Sequence, residues 1–237
     1  MHSVGHVGIV ACSAEGAALC YRTICTEGGD LFDRLIHPAV SIHTQPFGEY
    51  VAALENDDWD RVAELMIGSA EILNAAGVNF LICPDNTIHR VLPRVEKRST
   101  LPWIHIAEVV VEEAQRRGFR RVGILGTRWL VDSDVYPEKL AARQIFQMRP
   151  SDEERDECSR IIMDELVYGI FKPEGIAYFQ RVIDAMRLAG CDAVVLGCTE
   201  IPLIISSGNS SLPILDSTRL LARAALRRAA QSTRERR

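Results

Sequence analysis

The sequence has no hydrophobic stretch of membrane-spanning length, and its first residues lack the basic-then-apolar order of a signal peptide. Its seven cysteines are odd in number, scattered and without CxxC spacing, which argues against a disulfide framework and a zinc site. No pattern of His, Asp and Glu indicates a metal. A net charge of −5 argues against a nucleic-acid surface. These absences predict a cytoplasmic protein with reduced thiols that binds neither membranes nor nucleic acid.

The composition and patterning are those of a globular α/β protein. With 237 residues and a hydrophobic share of 47%, the chain can bury a large core. Short runs of Val, Ile and Leu alternate with longer amphipathic stretches, the pattern of parallel strands covered by helices. The predicted strands are 6–11, 39–43, 80–83, 103–106, 121–125, 193–196 and 214–215. The predicted helices are 58–76, 106–118, 153–168, 173–190 and 218–230, three of them ending at Gly77, Gly118 and Gly190.

The chain repeats itself in three collinear segments. Residues 76–87 align without a gap on residues 189–200, and this alignment pairs Asp85 with Cys198. The other matched pairs of segments are 7–13 with 122–128 and 100–105 with 211–216. The repeat predicts two pseudo-symmetric α/β half-domains with parallel sheets and an active site in the cleft between them. The first half is predicted to comprise residues 1–105 and 214–237, and the second half residues 106–213.

The ends of the repeated strands define the candidate site, because ligands of open α/β sheets bind outside the carboxyl ends of the strands. Small hydroxyl and amide side chains beside helix N-termini suit a carboxylate ligand. The plainer interpretation is that Ser13, Thr87 and Thr199 only cap helices, but capping alone does not predict matched clusters in both halves. The candidate residues are Cys12, Ser13, Asp85, Asn86, Thr87, Thr127, Cys198, Thr199 and Glu200.

Cys198 and Asp85 are the candidate acid/base groups. Most free cysteines are small buried hydrophobes, and Cys83 is interpreted as packed core. Cys198 differs because it lies past its strand end, where a helix N-terminus would favour the thiolate. Asp85 on its own would be read as a turn or cap residue, since Pro84-Asp85-Asn86 is typical turn sequence. Its match to Cys198 in the repeat favours a functional role instead. His89 is interpreted as a supporting or surface residue.

These motifs resemble the aspartate/glutamate racemases, the amino-acid racemases that do not use pyridoxal phosphate. The resemblance is carried by Leu196-Gly197-Cys198-Thr199-Glu200-Ile201 and Asp85-Asn86-Thr87-Ile88-His89. It is carried further by residues 101–106 and 125–128, and it extends from about His6 to Asp216.

The resemblance implies two α/β halves, no cofactor, a small amino acid or related carboxylate as ligand, and a homodimer. It also implies that two groups, one from each half, flank the substrate Cα, one removing a proton and the other returning one. Cys198 matches the second-half cysteine of the family, and Asp85 stands where the first cysteine is expected. Asn86, Thr87, Thr127 and Thr199 match positions that contact the carboxylate and amino groups of the substrate.

The sequence departs from the family pattern in three places. Asp85 replaces a thiol, and Ala11-Cys12-Ser13 replaces a Gly-Gly-Met loop. Ile170 stands where relatives often carry Lys or Gln to hold a side-chain carboxylate, with Lys172 as a candidate substitute. The substrate side chain is therefore expected to be less polar than that of aspartate or glutamate.

An Asp–Cys pair predicts unequal proton transfer at the two faces of the substrate. An ordinary aspartate has a pKa of about 3.9 and a thiol about 8.5, and burial or a second anion raises both. Such a pair shares one proton and titrates as a unit. Two alternatives remain open: a cofactor-independent decarboxylase of the arylmalonate type, in which Cys198 alone protonates a carbanion, and a non-catalytic binding protein for small acids.

Overall fold

The computed structural model describes residues 5–32 and 35–234. The chain divides into two compact units, residues 1–106 with 218–237 and residues 107–217. The first unit contains β1 (Val7–Ala11), α1 (Ala14–Glu27), β2 (Val40–Thr44), α2 (Phe47–Glu55), α3 (Trp59–Ala75), β3 (Phe80–Ile82), α4 (Leu92–Glu96) and β4 (Trp103–Ile104).

The chain then passes through α5 (Ile106–Arg116) into the second unit and returns to the first in α10 (Ser217–Arg234). The second unit contains β5 (Arg121–Leu125), α6 (Arg128–Val131), α7 (Pro137–Ala141), β6 (Phe146–Met148), α8 (Asp152–Asp164), α9 (Pro173–Leu188), β7 (Ala193–Leu196) and β8 (Ile214–Asp216). Among the described residues, no helix is both long and apolar enough to cross a membrane.

Each unit has one four-stranded sheet, and the two sheets have the same strand order. The first sheet runs β2-β1-β3-β4 and the second runs β6-β5-β7-β8. All six strand pairings among the described residues are parallel. The expected fold class, α/β with two similar halves and parallel sheets, is confirmed.

Local sequence explains where the main helices begin and end. Ser13 and Asp58 cap α1 and α3 through their side chains, and Ser151 and Glu154 form a reciprocal capping box at the start of α8. Gly77, Gly118 and Gly190 follow helices α3, α5 and α9 with φ values of 77°, 77° and 88°. This left-handed conformation favours glycine, so these three expected helix ends are confirmed.

The core of each unit lies between its sheet and its helices. All five residues of β1 and all four of β7 are buried, as expected for central strands covered on both faces. In the second unit Phe179 and Met186 of α9 pack with Ile162 of α8 in one buried cluster. Because the central strands are fixed by this packing, the turns that follow them are fixed too.

The structure differs from the sequence expectation at the domain boundary and in several elements. β8 pairs with β7, so residues 214–217 belong to the second unit rather than to the first. The repeat itself contains this information, because Trp103-Ile104, the counterpart of Ile214-Leu215, lies in the first sheet. Strand β6 and helices α1, α2, α4, α6 and α7 were not predicted. β6 has only three residues at a sheet edge, and α2 has only nine, which gives little periodic signal.

Candidate active site

The first half-site consists of Cys12, Ser13, Asp85, Asn86 and Thr87. Cys12 and Ser13 follow β1, and the other three follow β3. β1 and β3 are parallel neighbours, with Ile9 opposite Ile82, so both turns leave the same edge of the sheet. The sequence expectation that these residues lie at the carboxyl ends of adjacent strands is therefore met within this unit.

Asp85 is half-buried and also has the local role of a turn residue. Its Oδ1 accepts a hydrogen bond from the backbone N–H of Ile88 at 3.2 Å. This bond stabilises the turn that leads into a short 3-10 helix at Thr87–Val91. It also holds the carboxyl group in one orientation at the strand end.

His89 fixes the Asp85 turn against the start of α5. Its Nδ1 donates to the carbonyl oxygen of Asp85 at 2.6 Å, and its Nε2 accepts from the backbone N–H of Ile106 at 3.2 Å. The ring is 1% exposed and lies 4.7 Å from the ring of His105. One donor and one acceptor nitrogen correspond to a neutral imidazole with its proton on Nδ1. The interpretation of His89 as a supporting residue is correct, but it is buried rather than on the surface.

Close to Asp85 is a buried group that consists of the thiols of Cys83 and Cys12 and the phenol of Tyr50. Burial raises the pKa of the Cys83 thiol well above its usual value, and the Asp85 carboxylate raises it further. Burial also raises the pKa of Tyr50, whose phenol is close to Cys83, Cys12 and Asp85. Cys83 is packed core, as expected. Tyr50 was not among the candidate residues, because it lies on the short helix α2, which was not predicted.

The remaining residues of the first half-site are nearly inaccessible. The Ser13 hydroxyl accepts from the backbone N–H of Gly16 at 3.3 Å, so its capping role is real. Asn86 and Thr87 are buried at the entrance to the 3-10 turn, and Cys12 is 3% exposed. Ser13 therefore acts at least as a helix cap, whereas the side chain of Asn86 makes no capping hydrogen bond to the 3-10 turn.

The second half-site consists of Thr127, Cys198, Thr199 and Glu200. Leu125 and Leu196 are paired at the ends of β5 and β7, so the turns 126–127 and 197–200 begin side by side. The Gly197 N–H donates to the Leu125 carbonyl at 2.7 Å. A Cβ on Gly197 would lie 2.7 Å from that same carbonyl oxygen, so only glycine fits this approach. Glycine before the cysteine thus sets the position of the thiol.

Cys198 and Thr199 both donate to one oxygen of Glu200. The Cys198 thiol donates to Oε2 at 2.9 Å, and the Thr199 hydroxyl donates to the same Oε2 at 3.0 Å. Glu200 is 2% exposed, while Cys198 is half-buried. The Cys198 thiol therefore lies against a buried carboxyl group. In the repeat, Glu200 corresponds to Thr87, so each half carries a single carboxylate at a different place in its turn.

The expected helix N-terminus beside Cys198 is not found. The residues after Glu200 form only a 3-10 turn, Ile201–Leu203. Thr127 precedes the four-residue helix α6, but its hydroxyl does not cap that helix. The Thr199 hydroxyl donates to Glu200. The electrostatic partner of the thiol is therefore a side chain that sequence reasoning had assigned to substrate binding alone.

No group of three metal-binding side chains lies together in residues 5–32 and 35–234. Each of the two similar α/β units carries a titratable side chain after a central strand, Asp85 after β3 and Cys198 after β7. The sequence profile of the Asp/Glu/hydantoin racemases matches residues 33–225. The chain belongs to this family.

Individual relatives agree with this assignment. The broad-specificity amino-acid racemase RacX of Bacillus subtilis is 23% identical over 169 residues, which cover 70% of this chain and 71% of RacX. A glutamate racemase of Beutenbergia cavernae is 28% identical over 153 residues, covering 60% of this chain and 50% of that protein. The structure of an aspartate racemase homologue from Pyrococcus horikoshii superposes with a TM-score of 0.80 at 29% identity, covering 95% of this chain and 99% of the other. The expected family and the enzyme class, an isomerase of the amino-acid racemase type, are confirmed.

Proposed function

We propose that the protein is a cofactor-independent amino-acid racemase or epimerase in which Asp85 and Cys198 act on opposite faces of the substrate Cα. One observation carries the proposal. Asp85 follows β3 and Cys198 follows β7, and these two strands have the same position in sheets of identical strand order. Both side chains are half-buried. Family membership supports the reaction class.

The proton transfers balance as follows. In one direction the Asp85 carboxylate removes the Cα proton, and the Cys198 thiol gives its proton to the opposite face. Asp85 is then a carboxylic acid and Cys198 a thiolate, and the reverse direction starts from this pair. The hydrogen bond that the Cys198 thiol donates to Glu200 favours the starting state in which Asp85 is a carboxylate and Cys198 is a thiol. We therefore expect a kinetic preference for the enantiomer whose Cα–H bond is directed at Asp85.

The substrate is proposed to be an α-amino acid whose side chain carries no carboxylate. Lys172, the candidate partner for such a carboxylate, has its ammonium 3.4 Å from Glu165. Ile170, two residues earlier, offers only an apolar side chain. Ser13, Asn86, Thr87, Thr127 and Thr199 are proposed contacts for the α-carboxylate and ammonium groups, with Cys12 lining the first half-site. A homodimer and a cytoplasmic location stay predictions.

Incubation of the protein with single amino acids in D₂O tests the proposal. Deuterium at Cα together with formation of the other enantiomer is the expected result, measured by NMR and chiral chromatography. Asp85→Asn should abolish exchange from one enantiomer, and Cys198→Ser should strongly reduce exchange from the other. Cys25→Ser, which changes the other half-buried cysteine, is the matched control and should leave both rates unaltered. CO₂ release from arylmalonates without Cα exchange would instead identify a decarboxylase.

A further inference from the structure

The second unit has a cleft at the end of its sheet opposite to the catalytic turns. The cleft has a volume of about 470 Å³ and lies where α5 leads into β5 and α7 leads into β6. Arg120 and Ile145 in its lining directly precede β5 and β6, whereas Thr127 of the candidate site follows the carboxyl end of β5. β5 has five residues, each rising about 3.3 Å, so roughly 13 Å separates the two ends of this strand.

The polar side chains of this cleft are cationic or neutral. Arg120 lines it from the connection between α5 and β5, and Arg143 lines it from the connection between α7 and β6. The amides of Gln115 and Gln144 lie beside them, and none of the lining residues is acidic. The Arg143 guanidinium donates to the amide oxygen of Gln115 at 2.8 Å. Within residues 5–32 and 35–234, no carboxylate forms an ion pair with Arg120 or Arg143.

Arginines that follow a helix often bind only the free carbonyl groups at its end. Arg117 and Arg121 have this structural role, because each donates to a backbone carbonyl oxygen, at 3.1 Å and 2.9 Å. Arg116 forms an ion pair at 2.7 Å with a glutamate one turn earlier in α5. In the described chain the guanidinium groups of Arg120 and Arg143 make neither kind of contact. Their positive charges are therefore available to a ligand.

The backbone of Gln144 supports a binding role for the cleft. Its φ of 57° is in the left-handed region, which favours glycine because glycine has no Cβ. Glycine would make the same turn after α7 with less strain, whereas Gln144 adds an amide that both donates and accepts hydrogen bonds. Strained residues of this kind occur most often at functional positions.

The donors of the cleft match the chemistry of a phosphate group. A guanidinium donates two parallel hydrogen bonds to a phosphate, and a phosphate group with nearly two negative charges matches the charges of two arginines. A volume of about 470 Å³ is within the range of about 300–1,000 Å³ that is typical of small-molecule sites. Because the whole chain has a net charge of −5, an anion is attracted only where positive charge is concentrated.

We propose that the cleft between the ends of α5 and α7 binds a phosphate-bearing small molecule through Arg120 and Arg143. This second site is separate from the turns that carry the candidate catalytic residues. Binding at the cleft does not require the proposed racemase reaction.

Isothermal titration calorimetry at constant ionic strength tests the wild-type protein with defined probes. These are inorganic phosphate, pyrophosphate, AMP, citrate and a short single-stranded RNA. At least one of the first three should bind with a Kd below about 1 mM, and more tightly than citrate. Absence of such binding, or tighter binding of citrate, would overturn the proposal. Tighter binding of the RNA than of AMP would indicate a nucleic-acid surface and would also overturn it.

Variants establish where the probe binds. Arg120→Gln and Arg143→Gln should each weaken binding about tenfold, whereas Arg143→Lys, which keeps the charge but not the planar fork, should retain part of the affinity. Arg116→Gln is the matched control: it changes a paired arginine of the same helix end outside the cleft lining and should alter Kd by less than about twofold.

Circular dichroism confirms that each variant is folded before titration. An unchanged Kd in the folded double variant Arg120→Gln/Arg143→Gln would place the ligand elsewhere and refute the site. Cα exchange in D₂O without any probe should be equal in this double variant and the wild type. A loss of exchange would contradict the separation of the two sites.

Discussion

Replacement of His89 by alanine isolates what holds Asp85 in place. The imidazole makes hydrogen bonds to the Asp85 carbonyl at 2.6 Å and to the Ile106 N–H at 3.2 Å, and its ring is buried. Each backbone group left without a partner costs about 1–3 kcal/mol. The substitution should therefore lower the free energy of unfolding by roughly 2–5 kcal/mol, which is a large part of the 5–15 kcal/mol typical of domains.

The assay is urea denaturation followed by circular dichroism, combined with Cα exchange in D₂O. His89→Asn is the matched variant, because its amide N–H can replace Nδ1 but nothing replaces the acceptor at Nε2. It should recover part of the lost stability and of the exchange at the Asp85 face. A stability loss below about 0.5 kcal/mol in His89→Ala would refute the reasoning.

Three further predictions concern the second unit. Gly197→Ala should lower the melting temperature by several degrees and slow catalysis, because its Cβ would lie 2.7 Å from the Leu125 carbonyl; an unchanged melting curve would contradict this. Burial raises the pKa of Cys158 to about 12, so only about 10⁻⁴ of it is thiolate at pH 8, and its iodoacetamide labelling should be negligible in the native protein. Rapid labelling of Cys158 would contradict this prediction and would show that helix α8 opens in the native protein.

The same raised pKa of Cys158 gives the third prediction, a loss of stability at alkaline pH. Below about pH 8.5 both the folded and the unfolded chain keep this proton. As the pH rises toward about 12, the unfolded chain loses it first, so unfolding becomes more favourable. Cys158→Ala should flatten the dependence of urea midpoints on pH between these limits. An identical pH profile for the variant would contradict the assignment.

Much of the fold could be predicted from periodic hydrophobicity and from the repeat. β5 and β7 have the expected bounds because they are central strands whose residues are almost all apolar. β6 was missed because a three-residue edge strand with an exposed Phe146 resembles a loop. Helix α1 was missed because it mixes glycine, threonine and cysteine with few strongly apolar residues.

The sequence predicted which turns form the candidate site, but not how their side chains interact. The spacing of Cys198 and Glu200 does not reveal that the thiol donates to the carboxylate, because this depends on side-chain rotamers. The hydrogen bonds of His89 connect Asp85, in the turn after β3, with Ile106 at the start of α5. Tyr50 approaches Asp85 only through tertiary packing of α2. Local sequence carries no signal for contacts of this kind.

The tight approach of Gly197 to Leu125 has a practical consequence for protein engineering. Because the close approach of Gly197 to the Leu125 carbonyl fixes the backbone from which Cys198 extends, residues outside these turns can vary in size and polarity without moving that backbone. Libraries that remodel side-chain selectivity should therefore leave the 125–126 and 197–200 turns untouched and diversify the 167–172 segment instead. The Cys198 thiol then keeps its position while the specificity is changed.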